Sequence, residues 1–286
     1  MAAVSPTTGL LTLGPKSRAA GDALFRQSWF PDGAPRAALI LAHGYAEHAG
    51  RYQHLAERLT ASGYAVHAID HWGHGRSDGD RGFVADFSVF LDGMNALLTF
   101  VRSSHPDLPL FLLGHSMGGL IASHHLLTHQ QHYCGAILSG PAVSAGTPPS
   151  APIRVIGQIL SRLVPKAGLL QLDAHAVSRD PEVVAAYLAD HLVYKGKMSA
   201  RLAAAMLRAM EEIQLRAGEI TLPLLVIHGS KDTLAAPEGA RQLVTQARST
   251  DKQFRELDGL FHEVFNEPER EIVLSSVVEW ITAHLP

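Results

Sequence analysis

The sequence predicts an α/β fold built on a mostly parallel, doubly wound sheet, and three features carry that expectation. Short apolar runs such as Ala37-Ala38-Leu39-Ile40-Leu41-Ala42 are continuous rather than alternating, as strands covered on both faces are. Runs of this kind alternate with stretches of helical period. Polar residues able to do chemistry gather just after the runs, at the C-terminal edge where open α/β sheets place their ligands.

Composition bounds the rest. With 286 residues and 47% hydrophobic side chains, the chain can bury one large core. A net charge of −3 gives no electrostatic case for a nucleic-acid partner. Cys134 is the lone cysteine, which excludes an intrachain disulfide and suits a reducing compartment, with a buried, inert thiol as its expected state. No N-terminal basic segment leads into a long apolar run, and no stretch approaches membrane-spanning length. A soluble, cytoplasmic protein is the expectation.

Up to about residue 36 only Ala23 to Phe30 reads as a strand. The run 37–42 then ends in His43-Gly44-Tyr45-Ala46-Glu47-His48-Ala49-Gly50-Arg51, whose small residues permit a sharp turn. Tyr52 to Thr60 has helical period, with Tyr52, Leu55, Ala56 and Leu59 on one stripe and Gly63 at a C-cap position. The strand Ala65 to Ile69 leads into Asp70-His71-Trp72-Gly73-His74-Gly75-Arg76-Ser77. Asp86 is a plausible N-cap for a helix through Phe90, Met94, Leu97 and Val101 to about Ser104. Gly135 to Ser139 makes another short buried strand.

Between these lies Phe111-Leu112-Leu113-Gly114-His115-Ser116-Met117-Gly118-Gly119-Leu120, an apolar strand that turns at a glycine-flanked serine and resumes as a helix. The spacing Gly114-x-Ser116-x-Gly118 is that of a nucleophile elbow, where the residues two before and two after a strained serine must lack side chains. There the backbone N–H of Met117, at the helix N-terminus, points where an oxyanion would form. In a serine hydrolase the backbone N–H of Tyr45 would be the second donor.

From residue 142 to 218 the rhythm changes. Pro148, Pro149 and Pro152 interrupt it, and Ile153 to Met210 reads as several helices without a convincing strand, a helical cap inserted between core segments 1–141 and 219–286. Within it Ile153, Ile156, Leu160, Leu163 and Val164 form an apolar stripe beside Arg154, Arg162 and Lys166. That composition suits a lid resting on a lipid surface; the alternative is a stripe packed on the domain below, which is what amphipathic helices usually are. The sheet resumes at Leu222 to Gly229, placing Asp232 in the following loop. A strand of about Lys252 to Leu257 precedes His262. The order Ser116, Asp232, His262 is the one this architecture requires of a catalytic triad. A final helix, about Glu269 to His284, has core spacing at Ile272, Val273, Val277 and Trp280.

The stretches His43 to Tyr52, Asp70 to Ser77, Leu113 to Gly119, Gly229 to Asp232 and Phe261 to Glu263 together resemble the monoacylglycerol lipase family of α/β-hydrolases, over about residues 25 to 284. The resemblance implies an α/β-hydrolase fold with a helical cap, cleavage of monoacylglycerols to glycerol and fatty acid, and some membrane affinity. It implies that Glu47, Arg51 and His115 hold the glycerol end of the substrate, and that Tyr187, in Tyr187-Leu188-Ala189-Asp190, adds a polar contact. The family commonly has a small residue where Tyr45 stands, so this tyrosine would narrow the space beside the oxyanion hole.

Ser116, His262 and Asp232 need no metal or organic cofactor to cleave an ester. His125 and His129 have the i, i+4 spacing of helical metal ligands, but no carboxylate or thiol completes a site, and a solvated helix end accounts for the cluster His124, His125, His129 and His132. Asp70 and Glu263 read as structural carboxylates. A lysophospholipase or broad carboxylesterase uses the same triad, and a non-catalytic ligand receptor could keep the same fold.

Overall fold

The structure is a computed structural model and describes residues 4–145 and 151–286. The continuous apolar runs become the inner strands of an eight-stranded sheet in the order β1-β2-β4-β3-β5-β6-β9-β10. Its members are β1 (Thr7–Thr12), β2 (Ala23–Trp29), β3 (Ala37–Ala42), β4 (Tyr64–Ile69), β5 (Leu110–His115), β6 (Gly135–Ser139), β9 (Leu224–Gly229) and β10 (Lys252–Leu257). From β4 to β10 every pairing is parallel, so β3, β5, β6 and β9 all end on one edge. The first two strands run antiparallel, and β1 is a strand the sequence reading missed. Its residues are mostly exposed at the sheet edge, so no buried run announces it.

Helices cover both faces, which is why the inner strands need no polar alternation. On one face α1 (Gln53–Ala61) and α8 (Arg270–Ala283) pack Leu55, Leu59, Val277 and Trp280 against Leu39, Phe111 and Ile137. Ile272 is 74% exposed, against the core position expected of it. The buried arc of α8 runs through Val273, Val277, Trp280 and Ile281, and Ile272 stands one residue, about 100°, off it. On the other face lie α2 (Ser88–Ser104), α3 (Met117–His129), α6 (Ala200–Arg216) and α7 (Pro237–Gln246), carrying Phe90, Met94, Leu120, Leu202 and Leu243. The α2 helix starts where the sequence placed it, with Asp86 Oδ1 accepting from the Ser88 N–H at 3.0 Å.

Between β6 and β9 the chain forms α4 (Ala151–Leu163), α5 (Pro181–Ala189) and α6. It also forms a two-stranded antiparallel ribbon, β7 (Gly168–Leu170) with β8 (Met198–Ser199), where no strand was expected. Runs of three and two residues are too short to give a period. Pro148 and Pro149, and the side chains of Pro152, Ile153 and Arg154, lie outside the described residues. This segment is fastened to the sheet's C-terminal edge by backbone bonds: Tyr194 N–H to Ala46 O, Ser199 N–H to Gly82 O and Glu263 N–H to Val177 O, each 2.8 Å. No helix among the described residues is long and apolar enough to cross a membrane.

Candidate active site

β5 ends at His115 and α3 begins at Met117, so the whole strand-to-helix turn falls on Ser116, at φ 54° and ψ −119°. A non-glycine residue there costs of order 1–3 kcal/mol and persists only when its surroundings fix it. They do so here. Ser116 N–H donates to Ser139 O at 3.0 Å, and Ser116 O accepts from the N–H groups of Gly119 and Ala142 at 2.9 and 3.0 Å. The flanking glycines are required by contact: a Cβ on Gly118 would lie 2.1 Å from Ala42 O, and one on Gly114 2.5 Å from Gly118 O. Strands β3 and β5 and helix α3 can therefore meet only with glycine at both places.

The loop after β3 lies against this elbow, since a Cβ on Gly44 would be 3.2 Å from Ser116 Cβ. Its first residue, His43, braces it from within: the ring donates from Nδ1 to Gly44 O and accepts at Nε2 from the His71 N–H, both 2.8 Å. The His71 and His74 rings pack beside His43, with centroids 4.3 and 5.4 Å away. Burial pushes His71 down to about 3 and His74 to about 4, so the cluster is neutral. Tyr45 follows Gly44 with a buried ring, edge-on to His74, and a hydroxyl without a hydrogen-bond partner. Asp70 is structural, as expected, taking the N–H groups of Ala49 and Arg76 at 2.9 and 2.8 Å.

Asp232 and His262 arrive from the loops after β9 and β10. His262 Nδ1 donates to Asp232 Oδ2 at 2.7 Å, and Asp232 Oδ1 accepts from the N–H groups of Leu234 and Ala235 at 2.8 and 3.0 Å. Burial opposes the charged imidazole, but the Asp232 bond and charge, with Glu263 and Glu47 behind them, outweigh it and hold His262 above the ordinary histidine value. Burial likewise pushes Asp232 up, and the histidine and backbone donors around it leave it below the ordinary carboxylate range. The His262 ring is thus held in the Nδ1–H form, leaving Nε2 for a hydroxyl.

The expected substrate residues gather beside this pair. Glu47 Oε1 accepts from the Gly44 N–H at 2.7 Å and the Tyr52 hydroxyl at 2.6 Å. Arg51 Nη1 donates to Glu47 Oε2 and Glu263 Oε1, both 2.6 Å, while Nη2 donates to Glu263 Oε2 at 2.8 Å. The same guanidinium lies 4.7 Å from the Tyr187 ring centre, bringing α5 to the cluster. The His115 ring lies 4.8 Å from that of His262, centroid to centroid and tilted by 51°, and meets Ser139 Oγ at 3.2 Å.

Comparison with known proteins places the chain in a family. The profile of the family described as serine aminopeptidase, S33, matches residues 33–269. A monoacylglycerol lipase of Mycolicibacterium smegmatis is 46% identical over 257 residues, covering 90% of this chain and 92% of that protein. The chain belongs to the monoacylglycerol lipase family of α/β-hydrolases. The human monoglyceride lipase is 34% identical, covering 86% of this chain and 82% of its own. The crystal structure of the Paleococcus ferrophilus monoacylglycerol lipase superposes with a TM-score of 0.81 at 32% identity, over 91% of this chain and 99% of that one. The family's α/β-hydrolase frame is the one described above.

Two polar residues of this site escaped the sequence reading. His228, fully buried at the end of β9, places Nε2 3.0 Å from Asp232 Oδ2. A polar residue closing an otherwise apolar strand was the available signal. Glu263 is structural, as read, and what escaped is its partnership with Arg51, which joins residues too far apart in sequence for any local pattern. One expectation is corrected outright. His124 and His125 are not a solvated helix end but are buried, bonded to Ala209 O and the Tyr133 hydroxyl at 2.8 and 2.9 Å, because α3 is sandwiched between the sheet and its neighbouring helices. Cys134 is half-buried rather than buried.

Proposed function

We propose that the protein is a serine hydrolase that cleaves monoacylglycerols to glycerol and fatty acid through an acyl-enzyme on Ser116. The observation that carries this reading is the His262 Nδ1 to Asp232 Oδ2 bond of 2.7 Å, in a site whose serine is held at an elbow. A serine hydroxyl is a poor nucleophile at neutral pH and needs a base. His262 Nε2 takes the proton as Ser116 Oγ attacks the ester carbonyl, then delivers it to the departing glycerol oxygen. Asp232 orients the ring and stabilises the imidazolium without itself being protonated. The oxyanion sits between the N–H groups of Met117 and Tyr45, each worth about 3 kcal/mol of barrier when well aimed. Water then repeats the sequence on the acyl-enzyme.

Glu47, Arg51, His115 and Tyr187 receive the glycerol end in this reading. Two buried carboxylates face one guanidinium there, so the cluster carries excess negative charge. Hydroxyls can donate to it, and a phosphate is repelled. That favours a neutral polyol head over a lysophospholipid. The relatives named above, monoacylglycerol and monoglyceride lipases, support the same choice. Residues 142–218 act as the cap, whose Ile156 and Leu163, 56% and 76% exposed, suit contact with a lipid surface. The single, half-buried Cys134 is in keeping with a cytoplasmic location.

The test is steady-state hydrolysis of monoacylglycerols of several chain lengths beside lysophosphatidylcholine and p-nitrophenyl esters, with Ser116→Ala as blank. Turnover concentrated on monoacylglycerols and absent from the blank is expected. Equal turnover of the lysophospholipid would move the assignment to that substrate, and residual activity in the blank would remove Ser116 from the mechanism.

A further inference from the structure

Asp232 faces two histidines, and the proposed mechanism uses one. His262 Nδ1 meets Oδ2 at 2.7 Å from the loop after β10. His228 Nε2 stands 3.0 Å from that same oxygen and 3.1 Å from Ala235 O. Both neighbours of His228 Nε2 are acceptors, so this nitrogen carries the hydrogen. Its other nitrogen, Nδ1, is buried without a partner. The ring is fully enclosed at the end of β9, four residues before Asp232, and Ala235 belongs to the turn whose N–H groups hold Asp232 Oδ1. One N–H is therefore anchored on the turn that carries the carboxylate and presents its positive end beside the oxygen that His262 uses.

We propose that His228 is a positioning residue for the triad: its Nε2–H fixes the turn from Asp232 to Ala235 and draws part of the Oδ2 charge away from His262. The inference rests on the reading of Ser116, His262 and Asp232 given above. Two consequences separate this role from simple packing. Without the N–H, the Asp232 turn loses a restraint and His262 Nε2 is aimed less well, which lowers kcat and leaves KM in place. With more Oδ2 charge left to it, the His262 imidazolium is stabilised, so the acid limb of the kcat/KM profile moves up. The other groups bearing on that limb are Glu263 beside His262, Glu47 and Arg51 from the loop after β3, and His115 at the end of β5. Among the described residues none of them is hydrogen-bonded to His228, whose partners are Asp232 and Ala235, so they stay constant between variants.

The experiment compares His228→Phe, His228→Gln and Asp232→Asn in the full chain, reading kcat, KM and the pH dependence of kcat/KM on a monoacylglycerol. Glutamine can present an N–H where His228 Nε2 stands, and phenylalanine cannot. His228→Phe is expected to lose about tenfold in kcat with the acid limb raised by about half a pH unit, and His228→Gln to stay within about threefold with the limb in place. Equal kcat and equal limbs for the two His228 variants would overturn the proposal. Asp232→Asn with undiminished kcat would instead overturn the triad reading itself, so the two failures are told apart. Should His228→Phe not fold, nitrogen-15 NMR of histidine-labelled wild type decides, with the His228 signals assigned by their absence from His228→Gln. A protonated Nε2 and bare Nδ1 near neutral pH are expected, and the opposite tautomer would refute the geometry on which the proposal stands.

Discussion

Arg51 grips Glu263 with two nitrogens, at 2.6 and 2.8 Å, across 212 positions of sequence. One of those nitrogens also holds Glu47, so a single guanidinium fastens the loop that follows His262 to the loop that borders Ser116. All three side chains are nearly enclosed. Burial pushes the Glu263 carboxyl up, and the Arg51 charge and hydrogen bonds overcome it and leave Glu263 below its ordinary value. Removing the cation would strand two buried carboxylates, a loss of about 3 kcal/mol or more for a pair of this kind. Arg51→Ala is expected to lower the urea midpoint accordingly, whatever it does to turnover. A midpoint unchanged within error would mean that water already solvates this cluster.

The pH dependence of catalysis follows from the charges around His262. The base works only when neutral. Its pKa is held above the ordinary value of 6.5 by Asp232, Glu263 and Glu47 against the effect of burial, so the acid limb of kcat/KM should fall above that value. Neutralising one of those charges in Glu263→Gln should move the limb down. A profile identical to wild type would show that Glu263 contributes packing alone.

Acid should also weaken the fold, and the sign can be worked out. Burial depresses His71 and His115 to about 3 and His74 to about 4, below the unfolded value of 6.5. As pH falls below that unfolded value, the denatured chain binds protons that the native state refuses, so stability drops with pH. At about pH 5.5 each such ring costs about 1.4 kcal/mol, roughly 4 kcal/mol for the three. His262 acts in the opposite sense, because its raised native value adds stability below the unfolded one, but it is one ring against these three, and burial depresses His43, His67 and His125 in the same direction as them. The depressed carboxyls of Asp232 and Glu263 are lost only at lower pH and do not enter this window. Urea melts at about pH 7.5 and about 5.5 should therefore differ by several kcal/mol. Matching curves would require water to reach the His43, His71 and His74 cluster.

How far the sequence led depends on whether a feature is local. The elbow was legible because three residues fix its spacing, and Gly114 and Gly118 leave no room for a Cβ where the strand, turn and helix meet. Asp232 and His262 were legible because each lies in the loop after a strand, in the chain order after Ser116 that a triad requires. The strand β1 was not, since a mostly exposed edge strand need not be apolar. Nor was Ile272, because residues one step apart on a helix look alike in composition and face directions about 100° apart. The pairing of Arg51 with Glu263 was beyond any local pattern. Glu263 becomes the partner of Arg51 only when separate strands bring their loops to one edge.

The last prediction concerns α4. The sequence left its apolar stripe open between a lipid-facing and a packed role, and we propose the lipid-facing one from the exposure of the described part of the helix. Leu163 is 76% exposed, Ile156 and Ile159 are about half exposed, and Ser161 is the member turned inward. A helix that buries its serine and presents its large aliphatic groups gains nothing from that face in water. Leu169 and Leu170 in the ribbon are exposed as well. Insertion of such side chains into an acyl boundary contributes about 25 cal/mol for each Å² of apolar surface removed from water. Replacing Ile156, Ile159 and Leu163 by serine should therefore weaken binding to phosphatidylcholine vesicles in a flotation assay at least tenfold, while hydrolysis of a short, soluble ester is retained. Vesicle binding that survives the triple substitution would place the lipid contact elsewhere, and loss of the soluble-ester activity would return α4 to a packing role.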